Sequence, residues 1–253
     1  MLRMGLIGAG TMGQWYARTF AEYDRSQLVA VCDLDQARAE GLAGQWQAAA
    51  YTDYRQMLAE TQLDAVAVAT PDRFHRAPVV ACLEAGRRVL CEKPLATTME
   101  DALAIQAAAE SAGRSVMVNF GNRRRDRVQA ARRVVLEEQQ VGEIANAYIE
   151  LNERIGKTDN LAWAAETSPI WFLLSHCVDT LRYVSGLEIT EVQGYQTRKL
   201  VAARGLPTSD TALFVATLSN GGHAFLGSSW IFPEAYAPDI DFRLRLLGDA
   251  NCL

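Results

Sequence analysis

The apolar run Arg88-Val89-Leu90-Cys91 ends in Glu92-Lys93-Pro94. The run reads as a buried parallel strand, and a lysine at the carboxyl end of such a strand needs a use for its charge. Ligands of open α/β sheets bind at that edge, so Lys93 is a candidate for chemistry beside a bound cofactor. The chain also begins with Gly8-Ala9-Gly10-Thr11-Met12-Gly13, a GxGxxG pattern between a strand and a helix. Gly8 permits the tight turn, Gly10 lets backbone approach a pyrophosphate, and Gly13 lets helix and strand pack closely. The helix start, at Thr11 and Met12, offers free N–H groups and a favourable dipole to the phosphates. Asp33 follows Gly13 by about 20 residues, at the end of the second strand, where an acid takes ribose hydroxyls. An acid there repels a 2′-phosphate, and Leu34 brings no compensating charge. NAD is therefore the expected cofactor, ahead of NADP.

Two further groups have chemical potential. Thr70-Pro71-Asp72-Arg73-Phe74-His75 follows the third strand; position alone leaves it open between a proline turn with a surface histidine and a contact with the cofactor. His176 and Asp179 stand at i and i+3 on a helix read over residues 170–184 and so share a face. Phe172, Leu173, Leu174, Val178 and Leu181 surround them, so a core histidine and an acid–base catalyst both fit, with Asp179 as a hydrogen-bond partner in either case. His75 and His223 have no metal-ligand spacing with His176, and no nucleophile elbow is present.

These residues need a scaffold, and 253 residues, 49% of them hydrophobic, suffice for one large or two ordinary domains. The net charge of -5 argues against a nucleic-acid binder. Arg123, Arg124, Arg125 and Arg127 form a local basic cluster that suits a solvated turn or an anion contact. Five cysteines, an odd number without CxxC, argue against a disulfide framework or a zinc site. Buried thiols, no signal peptide before the first strand and no bilayer-length apolar run lead to the expectation of a cytoplasmic protein.

Apolar runs predict parallel strands at 2–7, 28–32, 63–69, 88–91 and 115–118. A helix from Thr11 is expected to bury Met12, Trp15, Tyr16 and Phe20 against the sheet. Further helices are expected over 74–85, ending at Gly86, and from Thr97 or Thr98 to Gly113. The alternation predicts an α/β domain over residues 1–120, a parallel sheet with right-handed crossovers. From 121 to 253 the pattern is α+β with a mostly antiparallel sheet. It comprises a helix at 126–139, a strand at 143–151, a polar connection at 152–168, the helix at 170–184, and strands at 190–197, 211–219, 223–230 and 241–247. Asn220-Gly221 signals a hairpin. Further strands are expected beyond Leu253, which reads as a shortened C-terminus.

With these residues in place, the chain resembles the Gfo/Idh/MocA oxidoreductases over nearly its whole length. The matching elements are Gly8–Gly13, Asp33, Thr70-Pro71 with His75, Gly86 followed by Val89-Leu90-Cys91-Glu92-Lys93-Pro94-Leu95-Ala96, then Asn122-Arg123, and His176 with Asp179 before Tyr183 and Gly186. The resemblance implies an N-terminal Rossmann domain with a doubly wound parallel sheet and a C-terminal α+β domain built on an open, mostly antiparallel sheet. It also implies NAD-dependent hydride transfer at a secondary alcohol of a sugar, cyclitol or related small molecule. It implies that Lys93 binds near the nicotinamide ribose and the reacting hydroxyl, and that His176, with Asp179, is the general acid–base. Thr70, Pro71, His75, Glu92, Asn122 and Arg123 are implied to line the cofactor cleft, and the Lys93–Pro94 bond is expected to be cis. Homo-oligomers formed through the C-terminal sheet are also implied. Many sugar dehydrogenases of the family carry an Asp four residues before the histidine; here that position is Phe172, expected on the same cleft, and it suits a flatter or less hydroxylated substrate. An NAD-dependent glycoside hydrolase and a catalytically impaired dinucleotide-binding protein are the alternatives.

Overall fold

Successive residues of a strand point to opposite faces, and the strands of the first half are apolar on both. Leu6, Val31 and Ala67 belong to one core cluster, while their neighbours Ile7, Ala30, Cys32, Val66 and Val68 belong to another. A strand buried on both faces requires helices on both, which the chain supplies. The computed structural model describes residues 1–253, which divide into two units, Met1–Asn119 and Phe120–Leu253.

The first unit runs β1 (Leu2–Ile7), α1 (Thr11–Glu22), β2 (Ser26–Cys32), α2 (Gln36–Gln45), β3 (Ala49–Tyr51), α3 (Tyr54–Glu60), β4 (Ala65–Val68), α4 (Arg76–Glu84), β5 (Arg88–Cys91), α5 (Met99–Ala112) and β6 (Val116–Val118). Its sheet has the order β3-β2-β1-β4-β5-β6, with every pair parallel. The order reverses beside β1, the point at which open sheets of this kind bind ligands. Local signals fix several ends. The Thr98 side chain accepts from Asp101 N to cap α5, and Gly113 closes it in the left-handed region at φ 59°.

Three expectations are corrected here. Met12 and Trp15 are not core residues: they are 41% and 61% exposed. The buried stripe of α1 is Gly13, Tyr16, Ala17 and Phe20, an i, i+3, i+4, i+7 set, and Met12 and Trp15 lie off it. Strand β3 and helix α3 were not expected. The strand holds only two alanines and a tyrosine, too little apolar pattern to register. The helix of residues 74–85 splits into a 3₁₀ turn at Asp72–Phe74 and α4.

The second unit runs α6 (Asp126–Arg132), β7 (Ile144–Arg154), α7 (Lys157–Asn160), α8 (Ser175–Ser185), β8 (Ile189–Thr197), α9 (Leu200–Ala203), β9 (Thr211–Leu218), β10 (His223–Phe232) and β11 (Ile240–Gly248). Its five-stranded sheet has the order β11-β7-β10-β9-β8. Three pairs are antiparallel and β7–β10 is parallel. Alternation gives this sheet one buried face, where Ile149, Leu226 and Leu246 join Cys177 and Leu181 of α8. The hairpin at Asn220-Gly221 forms as expected: Gly221 takes φ 85° and Gly222 N donates to Asn220 Oδ1. The expected helices 126–139 and 170–184 are not α-helical throughout. The first passes into a π-helical turn at Arg133–Glu137, and the second begins with one at Ile170–Leu174. The polar connection is shorter than expected, because β7 continues to Arg154 and α7 follows. No helix is long and apolar enough to cross a membrane.

Candidate functional site

The glycine turn is built by close approach. A side-chain carbon added at Gly13 would stand 1.9 Å from Gly8 O, and one at Gly8, with φ 101°, would stand 2.6 Å from Ala69 O. A carbon at Gly10 would meet nothing within 4 Å. Positions 8 and 13 therefore need glycine for the fold, whereas Gly10 leaves open space beside the start of α1. No side chain caps that helix, so its first N–H groups, at exposed Thr11 and Met12, are left for a ligand. Asp33 is held beside them. Its Oδ2 accepts from Ala9 N at 2.7 Å and its Oδ1 from Asp35 N at 2.9 Å. A carboxylate has about four lone-pair sites, so hydroxyls can still be accepted. At the end of the adjoining β4, Thr70 Oγ1 is buried without a hydrogen-bond partner. Open backbone donors, a half-exposed acid and an orphaned hydroxyl along one sheet edge fit a dinucleotide.

Lys93 stands at the same edge, one residue past Glu92 at the end of β5, and is half-buried; its bond to Pro94 is cis, as expected. Its neighbours fix the backbone rather than extend outward. Glu92 is only 7% exposed. Its Oε1 accepts from Tyr16 Oη at 2.5 Å and from Asn119 Nδ2 at 2.8 Å, and its Oε2 from Lys93 N at 3.2 Å. Burial first, and then the charge and hydrogen bond of Glu92, hold the Tyr16 phenol far above its usual range, so the hydroxyl remains a donor. His75 is not a surface residue. It is 1% exposed, with Nδ1 2.8 Å from Pro94 O and Nε2 3.0 Å from Thr70 O. It ties the turn after β4 to the turn after β5. Pro71 is half-buried between Thr70 and the 3₁₀ turn.

In the second unit, helix α8 begins at Ser175, so His176 sits in its first turn; it is half-buried, with its ring edge-on to Phe120 at 6.1 Å. Asp179 is buried, and its carboxylate is taken by Arg123: Nε lies 2.9 Å from Oδ2 and Nη2 2.5 Å from Oδ1. Arg123 thus faces Asp179 and also lies over Tyr183 at 5.0 Å. The Asp179 side chain is 5% exposed but that of Arg123 is 44%. The pair is therefore worth closer to the ~1 kcal/mol of an exposed bridge than to the 3–5 kcal/mol lost on breaking a fully buried one. Arg123 lies in a 3₁₀ turn at Gly121–Arg124, in which Asn122 is buried. Phe172 lies in the π-helical turn, and its ring packs 5.6 Å from Trp230 and 5.8 Å from Trp163, with Lys157 Nζ at 5.1 Å. A π turn closes i→i+5 rather than i→i+4, so ordinary helical spacing does not describe how Phe172 relates to His176. Sequence reasoning missed Asn119 and the hydroxyl of Tyr16. Tyrosine at a core position was the available signal, since a buried phenol needs a partner.

A fold of this topology with this edge is a dinucleotide-binding domain followed by an α+β domain. Residues 2–120 match the model of the oxidoreductase family with the NAD-binding Rossmann fold, and residues 128–253 match the Gfo/Idh/MocA C-terminal domain. The chain belongs to the Gfo/Idh/MocA oxidoreductase family, and its first unit is that family's NAD-binding domain. It is 31% identical over 201 residues to inositol 2-dehydrogenase 1 of Saccharopolyspora erythraea, covering 78% of this chain and 58% of that protein. It is 28% identical over 246 residues to 2,7-anhydro-N-acetylneuraminate hydratase of Escherichia coli, covering 93% and 64%. The chain therefore spans less than two thirds of the length of these relatives. Among solved structures, myo-inositol 2-dehydrogenase from Lactobacillus plantarum superposes with a TM-score of 0.89 at 21% identity, over 100% of this chain and 75% of that one. The scyllo-inositol dehydrogenase from Lactobacillus casei with bound NAD(H) and scyllo-inositol gives 0.88 at 18% identity, over 100% and 75%.

The glycine turn yields a direct test. Gly13→Ala forces the 1.9 Å contact apart and should weaken NADH binding at least about tenfold, or 1.4 kcal/mol, in a fluorescence titration. Gly44→Ala, whose added carbon meets nothing within 4 Å, should leave it unchanged.

Proposed function

We propose that this protein is an NAD-dependent dehydrogenase acting on a secondary alcohol of a cyclitol, sugar or related small molecule. The observation that carries the reading is the shared carboxyl edge of β1, β4 and β5, adjacent parallel strands whose ends lead into Gly8, Thr70 and Glu92-Lys93. A phosphate-binding turn and a lysine at one edge suit a cofactor that runs from the glycine turn toward the lysine. The inositol dehydrogenase relatives support a polyol as the substrate class.

Gly8, Gly10, Thr11, Met12 and Gly13 would hold the pyrophosphate, and Asp33 the adenosine ribose hydroxyls; the acid also favours NAD over NADP. Thr70, Pro71, Asn122 and Arg123 are assigned to the walls of the cofactor cleft, with His75 and Glu92 supporting the turns from behind. Bound NAD supplies the hydride acceptor. Lys93 would hold the reacting hydroxyl and stabilise its developing alkoxide, since a fixed cation in a water-poor site acts where the charge appears. His176 would take the hydroxyl proton, as an imidazole titrates in the working range. Asp179 would act on His176 indirectly, by fixing α8 through Arg123.

The second unit supports self-association. The sheet face opposite α8 carries Tyr148, Tyr195, Leu213 and Val215, all exposed. Tyr148 stacks on Phe225 at 4.9 Å and lies under Arg245. An exposed apolar sheet face of this kind suits a second copy of the chain.

Lys93→Met and His176→Asn should each lower kcat about 10²–10⁴-fold with a cyclitol and NAD, while NADH still binds. Undiminished turnover in either variant would remove that residue from the chemistry. Failure of the wild-type protein to reduce NAD with any polyol of a broad panel would overturn the dehydrogenase reading.

A further inference from the structure

Glu92 is a buried carboxylate with three donors drawn from three places: Tyr16 on α1, Asn119 just after β6, and the backbone N–H of Lys93. Burying a carboxylate is costly unless it is fully hydrogen-bonded, so the arrangement needs a reason. Packing does not supply one at Tyr16. The ring stacks with Phe20 at 5.8 Å, and phenylalanine would fill the same volume without a polar atom. The hydroxyl reaches 76 residues along the chain to a single group, Glu92, whose own backbone leads directly into Lys93.

Helix α1 is also the helix that opens on Gly10–Gly13. Tyr16 lies one turn into it, on the buried stripe. One short helical segment therefore connects the phosphate turn to the carboxylate beside Lys93. On the far side of the turn, His75 Nδ1 meets Pro94 O at 2.8 Å. The peptide around Lys93 is gripped before it by Glu92 and after it by His75.

We infer that Tyr16 and Asn119 are positioning residues for Lys93, acting through Glu92. They fix where its ammonium stands relative to the glycine turn. The inference rests on the reading of Lys93 as the cation beside the nicotinamide, but its test does not need turnover. The chain has three lysines, Lys93, Lys157 and Lys199, so Lys93 can be followed with two internal references.

The experiment is competitive acetylation with trace acetic anhydride, read by mass spectrometry on the intact wild-type protein and on Tyr16→Phe and Asn119→Ser. The labelling rate of Lys93 relative to Lys157 and Lys199 should shift at least about threefold in each variant, as loss of one charge-assisted hydrogen bond allows. The melting temperature should fall, since a buried carboxylate loses a partner, and the labelling ratio is the readout that decides. A ratio unchanged in both variants, with or without a lower melting temperature, would reduce the two residues to packing and overturn the inference. If Tyr16→Phe does not fold, Asn119→Ser decides alone. NADH titration of the wild type is read separately: no binding would sink the cofactor reading while the labelling ratio still judges the clamp.

Discussion

Everything at the sheet edge of the first unit depends on how closely the chain passes itself between β1 and α1. The carbonyl of Gly8 occupies the space a side chain would need at residue 13, and the backbone of Ala69 occupies the space needed at residue 8. This contact brings the start of α1 down onto the sheet edge, uncapped, with its N–H groups facing outward. The same contact sets the depth of α1, and hence the reach of the Tyr16 hydroxyl to Glu92. A residue with a β-carbon at either position would move the glycine turn and loosen the lysine turn together.

Charge at the site is handled in two ways. At half-exposed Asp33, two backbone donors orient the carboxylate and its remaining lone pairs stay available. Where it must hold the scaffold, as at Glu92 and Asp179, it is buried and its partners come from distant parts of the chain. Glu92 and Asp179 are therefore better understood as anchors than as groups that meet substrate, although both lie next to residues with chemical potential. Helix α8 follows the same logic: Arg123 grips it one turn beyond His176, so the histidine rides on a helix whose placement is set elsewhere.

The sequence makes the first unit legible because its strands are short apolar runs with abrupt ends. Strands β1 and β5 have the bounds expected of them, and Thr98 and Gly113 mark α5 through capping chemistry that acts over three residues. What escapes is non-local or lacks contrast. Ala49–Tyr51 has no β-branched residue and could not be distinguished from a loop. The π turns at 133–137 and 170–174 preserve apolar spacing well enough to pass for α-helix. Trp15 is an exposed aromatic on a helix whose other aromatics are buried, and composition alone does not separate them. The Arg123–Asp179 pair spans 56 residues and the Tyr16–Glu92 bond 76. The glycine fingerprint and Lys93 were visible because their chemistry is local. Their supports were not, because each needs the fold before it exists.

The most direct test of the account is a crystal structure of the protein grown with NAD(H). The account predicts the pyrophosphate over Gly10 against the amides of Thr11 and Met12, ribose hydroxyls on Asp33, and the nicotinamide end of the cofactor beside Lys93 with the Glu92 clamp intact. A cofactor bound away from the glycine turn, or lying on it with Lys93 directed elsewhere, would contradict it.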